Sequence, residues 1–503
     1  MGSANKIAGG VFWSVIVNVV NGIYGFVSVP LLINHFGKAE YGLIGLATSV
    51  NVYLQLMDMG FNGTNLRFYS NWLAKGDKEK TNKLFQSSLL FYGCIGVVNA
   101  LVLFIVSLFS GRLFELSAAQ DHILKQLIYI LMASAFVNWF SSCFDQLIKS
   151  TENVAWCQKR ALLPKSIQIV VLLCTIYFKL PLAIYFLLTS FAMFSIIPLS
   201  IKKIRMEIPF VSFAPRLHWP ILKETLPYCL NIFSLGIFQF SFYNLRPVLL
   251  GIQGNIESVA DYRILNGIVG LVTTFSGAFL SASLPSSAKV VARGDKDAFY
   301  RVAYTGTKYV SIACGFCCFG MIAVSKEAVL LYVGHSYLYL VPWLNLWLLC
   351  TLVNHNQAIS SLILSGANLR SITYSTAVSA SIALTAAWLL IPIYQVGGTV
   401  IAFTIYAVTH LLFYYLYYWP YKMKLDSWRV FSRCFAPTAV LGIALATVGT
   451  MWSPENVPIW GVFLTKGVLF SVFFAVGTYW LSDKEDRVFV CNLVRNIYRR
   501  KSA

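Results

Sequence analysis

Long apolar stretches alternate with short polar ones along the whole chain. A helix needs roughly 20 mainly apolar residues to cross about 30 Å of hydrocarbon. By that measure the pattern predicts about fourteen helices, near 8–34, 41–62, 85–110, 123–146, 162–179, 181–200, 225–250, 258–284, 303–325, 337–363, 371–391, 395–418, 434–452 and 457–481. Only Lys179, Leu180 and Pro181 separate the fifth from the sixth, and the charge alternation of the connections requires a hairpin there. An even count puts both termini on one side.

Composition turns this pattern into a setting. Of 503 residues, 57% are hydrophobic and 12% charged, with a mean hydropathy of +0.67, which describes an all-α polytopic membrane protein and leaves no room for a soluble domain. The net charge of +19 does not point to nucleic acid, because the basic residues concentrate in alternate connections. These include RFYSNWLAKGDKEKTNK, IKKIRMEIPFVSFAPRLHWPILKE, YKMKLDSWRVFSR and the tail KEDRVFVCNLVRNIYRRK. The positive-inside rule assigns those segments to the cytoplasm. The first span is long, carries Asn18 and Asn21, and precedes no small-residue cleavage site, so it is expected to remain as a helix. The Cys314, Cys317 and Cys318 cluster has no His or acidic neighbour and is expected to pack rather than bind metal. No disulfide and no cofactor is expected.

The chain repeats itself at an offset of about 218 residues. VPLLINHFGKAEYGLIGL, from Val29, is answered by RPVLLGIQGNIESVADYRILNG, from Arg246, with Asp261 and Tyr262 matched to Glu40 and Tyr41. LAKGDKEKTNKLF, from Leu73, is answered by VARGDKDAFYRVA, from Val291. A repeat of six spans keeps both copies in one orientation, which predicts two parallel six-helix lobes. The expected organisation is an N-lobe over 1–200, a cytoplasmic linker over 201–224, a C-lobe over 225–418, an appended helix pair over 419–481 and a basic cytoplasmic tail over 482–503. Two similar lobes suit alternating access.

Polar residues inside the spans are the candidate chemistry. In helix two, Asn51, Gln55, Asp58, Asn62 and Asn65 recur at intervals of four and three and share one face. A charge in a span marks a pathway unless it is locally paired, so Asp58 either faces a cavity or meets Arg67 or Lys75. Asn18 and Asn21 form a similar stripe on helix one, and Asn231 and Gln239 lie with Arg246 on helix seven. Arg246 either contacts an anion, for which its planar fork suits phosphate, or snorkels to the outer interface. Helix ten carries Asn354 and His355; the histidine couples protons, binds sugar hydroxyls, or packs. Asp58, Asp145 and His355 are the ion-coupling candidates, with Asp58 and Asp145 the only intramembrane acids expected. Lys466 is a further cation in helix fourteen. No GxxxxGK[ST] motif supports direct ATP use.

The stretch VPLLINHFGKAEYGLIGLATSVNVYLQLMDMGFNGTNLRFYS, with its G-x-x-E-Y-G turn and its D-x-G followed by an Arg, resembles the polysaccharide-biosynthesis flippases, the Wzx-type O-antigen and exopolysaccharide translocases. That family belongs with the lipid II flippase and the MATE exporters in one transporter superfamily. The resemblance implies translocation of an undecaprenyl-diphosphate-linked oligosaccharide across a bacterial inner membrane by alternating access, through a central cavity of basic character. It also implies proton or sodium coupling, a glycan polymerase and chain-length regulator as partners, and a tail groove at helices thirteen and fourteen, where Lys466 lies. Carried over by residue, it covers Glu40, Tyr41, Gly42, Asp58, Gly60 and Arg67. Two rivals are an ion-coupled drug or cation antiporter of the MATE type and a membrane glycan polymerase or ligase. The latter needs a large outward domain and a paired-carboxylate site, neither of which the sequence shows, so a non-enzyme is expected.

Overall fold

The computed structural model describes residues 3–58, 60–293, 295–364, 370–452, 454 and 457–481, and every regular element among them is helical. The expected tail over 482–503 lies outside the described residues. The helices group into two compact units, Met1–Ile268 with Arg370–Tyr406, and Val269–Leu369 with Ala407–Ala503.

The first unit holds α1 (Ser3–Phe36), α2 (Lys38–Tyr53), α3 (Phe61–Ala74), α4 (Lys78–Leu113), α5 (Ala118–Ser150), α6 (Val154–Phe178), α7 (Leu182–Phe191), α8 (Ile196–Glu207) and α9 (Trp219–Gln253). It also takes the first part of α10 (Ile256–Arg293). The second unit contains α11 (Lys296–Arg301), α12 (Thr307–Ala323), α13 (Ser325–Tyr332), α14 (Val341–Thr351) and α15 (Gln357–Leu364). The chain then returns to the first unit in α16 (Arg370–Tyr394) and most of α17 (Val396–Phe413). It ends in the second with the single turn α18 (Ser427–Arg429), α19 (Ala436–Met451) and α20 (Ile459–Leu481).

Eleven helical stretches among the described residues are long and apolar enough to cross a membrane, each on one of the expected spans. The expected spans two, seven and eight fall on α2 with α3, on α9 and on α10. The tight hairpin is present: α6 ends at Phe178, Lys179 takes the left-handed conformation at φ 52°, and Pro181 caps α7. The expected linker is mostly helical, because α8 runs on to Glu207 and α9 begins at Trp219. The remaining connection is strapped to α4, where the Ser212 N–H donates to Asn82 Oδ1 at 2.8 Å and the His218 N–H to Ser87 Oγ at 3.0 Å.

Both halves of the repeat have structural counterparts. Pro30 lies as far before the end of α1 as Pro247 does before the end of α9. Asp77 caps α4 by accepting from the Lys80 N–H at 3.0 Å, and Asp295 caps α11 by accepting from the Ala298 N–H at 2.9 Å, each satisfying a free donor of a first helical turn. Gly294 of the second GDK turn lies outside the described residues. One pairing is corrected: Glu257, not Asp261, occupies the first turn of α10 as Glu40 occupies that of α2.

Candidate functional site

Helix two does not run through. After Tyr53 it tightens into a 3-10 turn, Leu54–Asp58, and resumes only at Phe61, with Gly60 left-handed at φ 83°. The glycine is required twice over. A Cβ there would occupy a disfavoured backbone region, and it would stand 2.8 Å from the Cys229 carbonyl oxygen and 3.1 Å from the Phe233 nitrogen of α9.

Beside this break, in the first unit, lies a cavity of about 620 Å³. The expected stripe supplies one wall with Asn51, Gln55, Asp58 and Asn62; α4 and α5 add Asn99, Asn138, Trp139 and Ser142; α9 adds Phe233, Gln239, Phe240, Tyr243 and Asn244. Neutral amides make up most of its polar residues, and among the described lining residues none is Lys or Arg. The basic character implied by the family resemblance is therefore not found in this cavity. An Asn or Gln side chain offers two donors and an acceptor with two lone pairs, so this lining can exchange hydrogen bonds with hydroxyl groups of either polarity.

Among the described residues, no cation pairs with Asp58. Its carboxylate accepts from the Tyr92 hydroxyl at 2.8 Å and from the Asn62 N–H at 3.1 Å, the latter tying the break to α3. Asn62 in turn accepts from Tyr92 at 3.3 Å and from the Gln146 amide at 3.1 Å. Arg67, one of its expected partners, lies over the Tyr228 ring at 4.1 Å instead. Asn65, the last member of the stripe, is buried beyond the cavity and accepts from Ser88 Oγ at 3.3 Å.

The other candidates occupy different surroundings. Arg246 is 1% exposed, which sets aside snorkelling. Its guanidinium is caged by Phe242, Phe403, Tyr243 and Tyr262 at 4.9, 5.0, 5.5 and 5.6 Å. It stands behind the cavity wall, since Tyr243 belongs to both groups of residues. Asn18 and Asn21 are exposed on α1 outside the cavity lining; the side chain of Asn231 lies outside the described residues. Asp145 is ion-paired to Arg160, which also bonds Ser200, and to Lys149 at 3.7 Å.

In the second unit, helix ten passes through a 3-10 turn, Leu352–Asn356, that contains the expected polar cluster. His355 is buried there, with Nδ1 2.8 Å from the Leu352 carbonyl, Nε2 2.8 Å from the Tyr415 hydroxyl, and its ring 4.3 Å from that of Phe435. Asn354 accepts from Gln357 at 3.3 Å. Lys466 is 3% exposed and bonds Glu327 at 2.9 Å.

Two buried acids escaped the sequence reading, Asp261 within the expected eighth span and Glu327 just past the ninth. Asp261, 4% exposed, pairs with Lys38 at 3.0 Å, and Glu327, 4% exposed, pairs with Lys466. Asn99, Asn138 and Asn244 also went unnoticed as cavity residues; an isolated amide within an otherwise apolar span is the signal that would have found the first two.

The family model described as "Polysaccharide biosynthesis protein" matches residues 7–291. Comparison with curated protein sequences gives no match. Among solved structures, "Lipid II flippase MurJ, inward closed conformation" is similar with a TM-score of 0.69 at 13% identity, over 93% of this chain and 99% of that one. An inward-facing multidrug resistance MATE family transporter of the MOP superfamily gives 0.58 at 14% identity, over 88% and 100%. The MATE multidrug transporter DinF-BH gives 0.57 at 15% identity, over 82% and 95%. At such identities the likeness is one of fold. The family model spans more than half of the sequence, and on that ground the chain belongs to the polysaccharide biosynthesis protein family, on a fold shared with MurJ and the MATE transporters.

Proposed function

We propose that this protein is a flippase that moves an undecaprenyl-diphosphate-linked oligosaccharide, a repeat unit of O-antigen, capsule or exopolysaccharide, across the bacterial cytoplasmic membrane by alternating access. The observation that carries the reading is the cavity lined by amides and aromatic rings. Sugar hydroxyls and a diphosphate cannot enter hydrocarbon without losing their hydration, so transfer needs a polar path while the prenyl chain stays in lipid. The amides replace water around hydroxyls, and Trp139, Phe233, Phe240 and Tyr243 offer faces for sugar rings. The volume falls within the range of about 300–1,000 Å³ typical of ligand sites. Caged Arg246 supplies positive potential behind Tyr243, where a low dielectric lets charge act over several ångströms.

In this reading both termini are cytoplasmic, and a polymerase and chain-length regulator act on the product. Asp58 is the residue for coupling to a proton or sodium gradient, since it is the acid in the cavity lining. Asp145 is held by Arg160 and Lys149, and His355 by Leu352 and Tyr415.

The test is leaflet exchange of a fluorescent undecaprenyl-diphosphate oligosaccharide in proteoliposomes. Wild type exchanges it, and Asn138→Ala or Gln239→Ala slows exchange about 2- to 10-fold, the worth of one hydrogen bond. Arg246→Ala slows it as well. Absence of exchange for any prenyl-linked glycan, alongside cation-driven drug efflux, would overturn the reading in favour of an antiporter.

A further inference from the structure

The second unit contains a separate polar cavity of about 350 Å³, lined by Ser325, Lys326, Glu327, Asn345, Thr450 and Lys466 among others. One oxygen of Glu327 accepts from Lys466 Nζ. Among the described residues, its second oxygen has no partner within the protein, nor do Ser325 Oγ and Asn345 Oδ1. Glu327 is 4% exposed, so a carboxylate oxygen is withdrawn from bulk water with its acceptor capacity unused. That is a costly arrangement unless a donor arrives from elsewhere.

The cavity lies toward one end of four spans. Its residues are found just after Ala323, between Leu338 and Asn345 in the first turns after His335, in the last turn before Met451, and about two turns in from Ile459. Exposed Tyr339, Trp452 and Trp460 mark the same level, as aromatic residues do at headgroup depth. The lining carries charge of both signs, with exposed Lys326 at the rim and the carboxylate inside.

We propose that this cavity is a binding site for the headgroup of a zwitterionic phospholipid bearing a primary ammonium. The ammonium donates to Glu327 Oε2, Ser325 Oγ and Asn345 Oδ1, and the phosphate meets Lys326. A quaternary ammonium has no N–H to give, and a glycerol headgroup brings no cation to the carboxylate. Hydrogen bonds to a charged group are stronger than neutral ones.

Native mass spectrometry of the full protein, titrated separately with phosphatidylethanolamine, phosphatidylcholine and phosphatidylglycerol, tests this. The ethanolamine lipid is retained at least about tenfold more tightly than the other two, as expected for charge-assisted bonds. Removing Glu327 alone strands Lys466 and invites misfolding, so the informative variant is Ser325→Ala with Asn345→Ala, which keeps the ion pair. It lowers ethanolamine-lipid retention toward the choline level while its Tm in lipid-free detergent stays at the wild-type value. Equal retention of all three lipids, or unchanged retention of the ethanolamine lipid in the variant, would each overturn the proposal.

Discussion

Replacing Gly60 with alanine tests a point where backbone conformation and close approach constrain the same residue. The residue is left-handed, which costs a non-glycine residue about 1–2 kcal/mol. The new methyl group would meet Cys229 O at 2.8 Å, Phe233 N at 3.1 Å and Ile232 Cβ at 3.2 Å. Two of those atoms are backbone of α9 and cannot rotate away, so an overpacking cost of about 1–3 kcal/mol adds to the first. The expected loss is about 2–5 kcal/mol. Gly236 is the matched control: it lines the same cavity on α9, yet a Cβ there meets nothing within 4 Å, and alanine in a helix gains about 0.5–1 kcal/mol over glycine. Thermal unfolding of the two purified variants, followed by size-exclusion recovery, should put Gly60→Ala below wild type and Gly236→Ala at or above it. Gly60→Ala melting at or above wild type would refute the claim that the break in helix two is held by close approach to α9.

Three further outcomes follow from the pairs described. Arg160→Met leaves Asp145 with only the longer Lys149 contact and should destabilise by about 3 kcal/mol, the low end for breaking a buried pair, whereas Asp145→Leu with Arg160→Met should recover most of it; unfolding midpoints decide. His355→Phe keeps a ring against Phe435 but strands the Tyr415 hydroxyl, so a stability loss of about 1–3 kcal/mol should come with an unchanged pH profile of glycolipid exchange. Lys38→Met should speed maleimide labelling of a cysteine placed at Leu46, which is buried under Gly251, in a background stripped of native cysteines; unchanged labelling would show that the Lys38 pair does not hold that end shut.

Features that depend on neighbours along the chain were legible in the sequence. The stripe Asn51, Gln55, Asp58, Asn62 lines the cavity because its spacing is that of one helical face, and this persists through the 3-10 turn. The GDK turns become caps because an aspartate before a helix accepts from its first free N–H groups. The break at Gly60 was harder to see. D-x-G before a polar turn reads equally well as a continuous helix end, and the need for a left-handed residue arises from α9, which lies far along the chain. Buried acids were missed for the same reason: Asp261 and Glu327 look like loop-edge charges until Lys38 and Lys466 are brought against them. For Arg246 the sequence left anion contact and snorkelling open, and its ring cage includes Phe403, which no local pattern links to helix seven.

The two halves of helix two have opposite physics, and this bears on how the cavity opens. In its first half, a Cβ on Gly42 would collide with the Ile256 carbonyl, one on Gly45 would stand 2.5 Å from Arg263 Cδ, and one on Gly251 of α9 would stand 2.6 Å from Leu46. Lys38 meets Asp261 at 3.0 Å and Glu257 at 3.4 Å, and Arg263 lies over Tyr41 at 4.6 Å. Small residues let backbones touch without a hydrophobic driving force, and the ion pair, with Lys38 at 22% exposure, is close enough to water to be rehydrated when it parts. The second half carries Asn51 and Gln55 and ends at the break, where both side chains line the cavity. Separation at the first half therefore exchanges backbone contact and a hydratable charge pair for water, at modest cost, while the second half already presents to water what it would present to a ligand. A helix so divided is suited to part at one end and bind at the other.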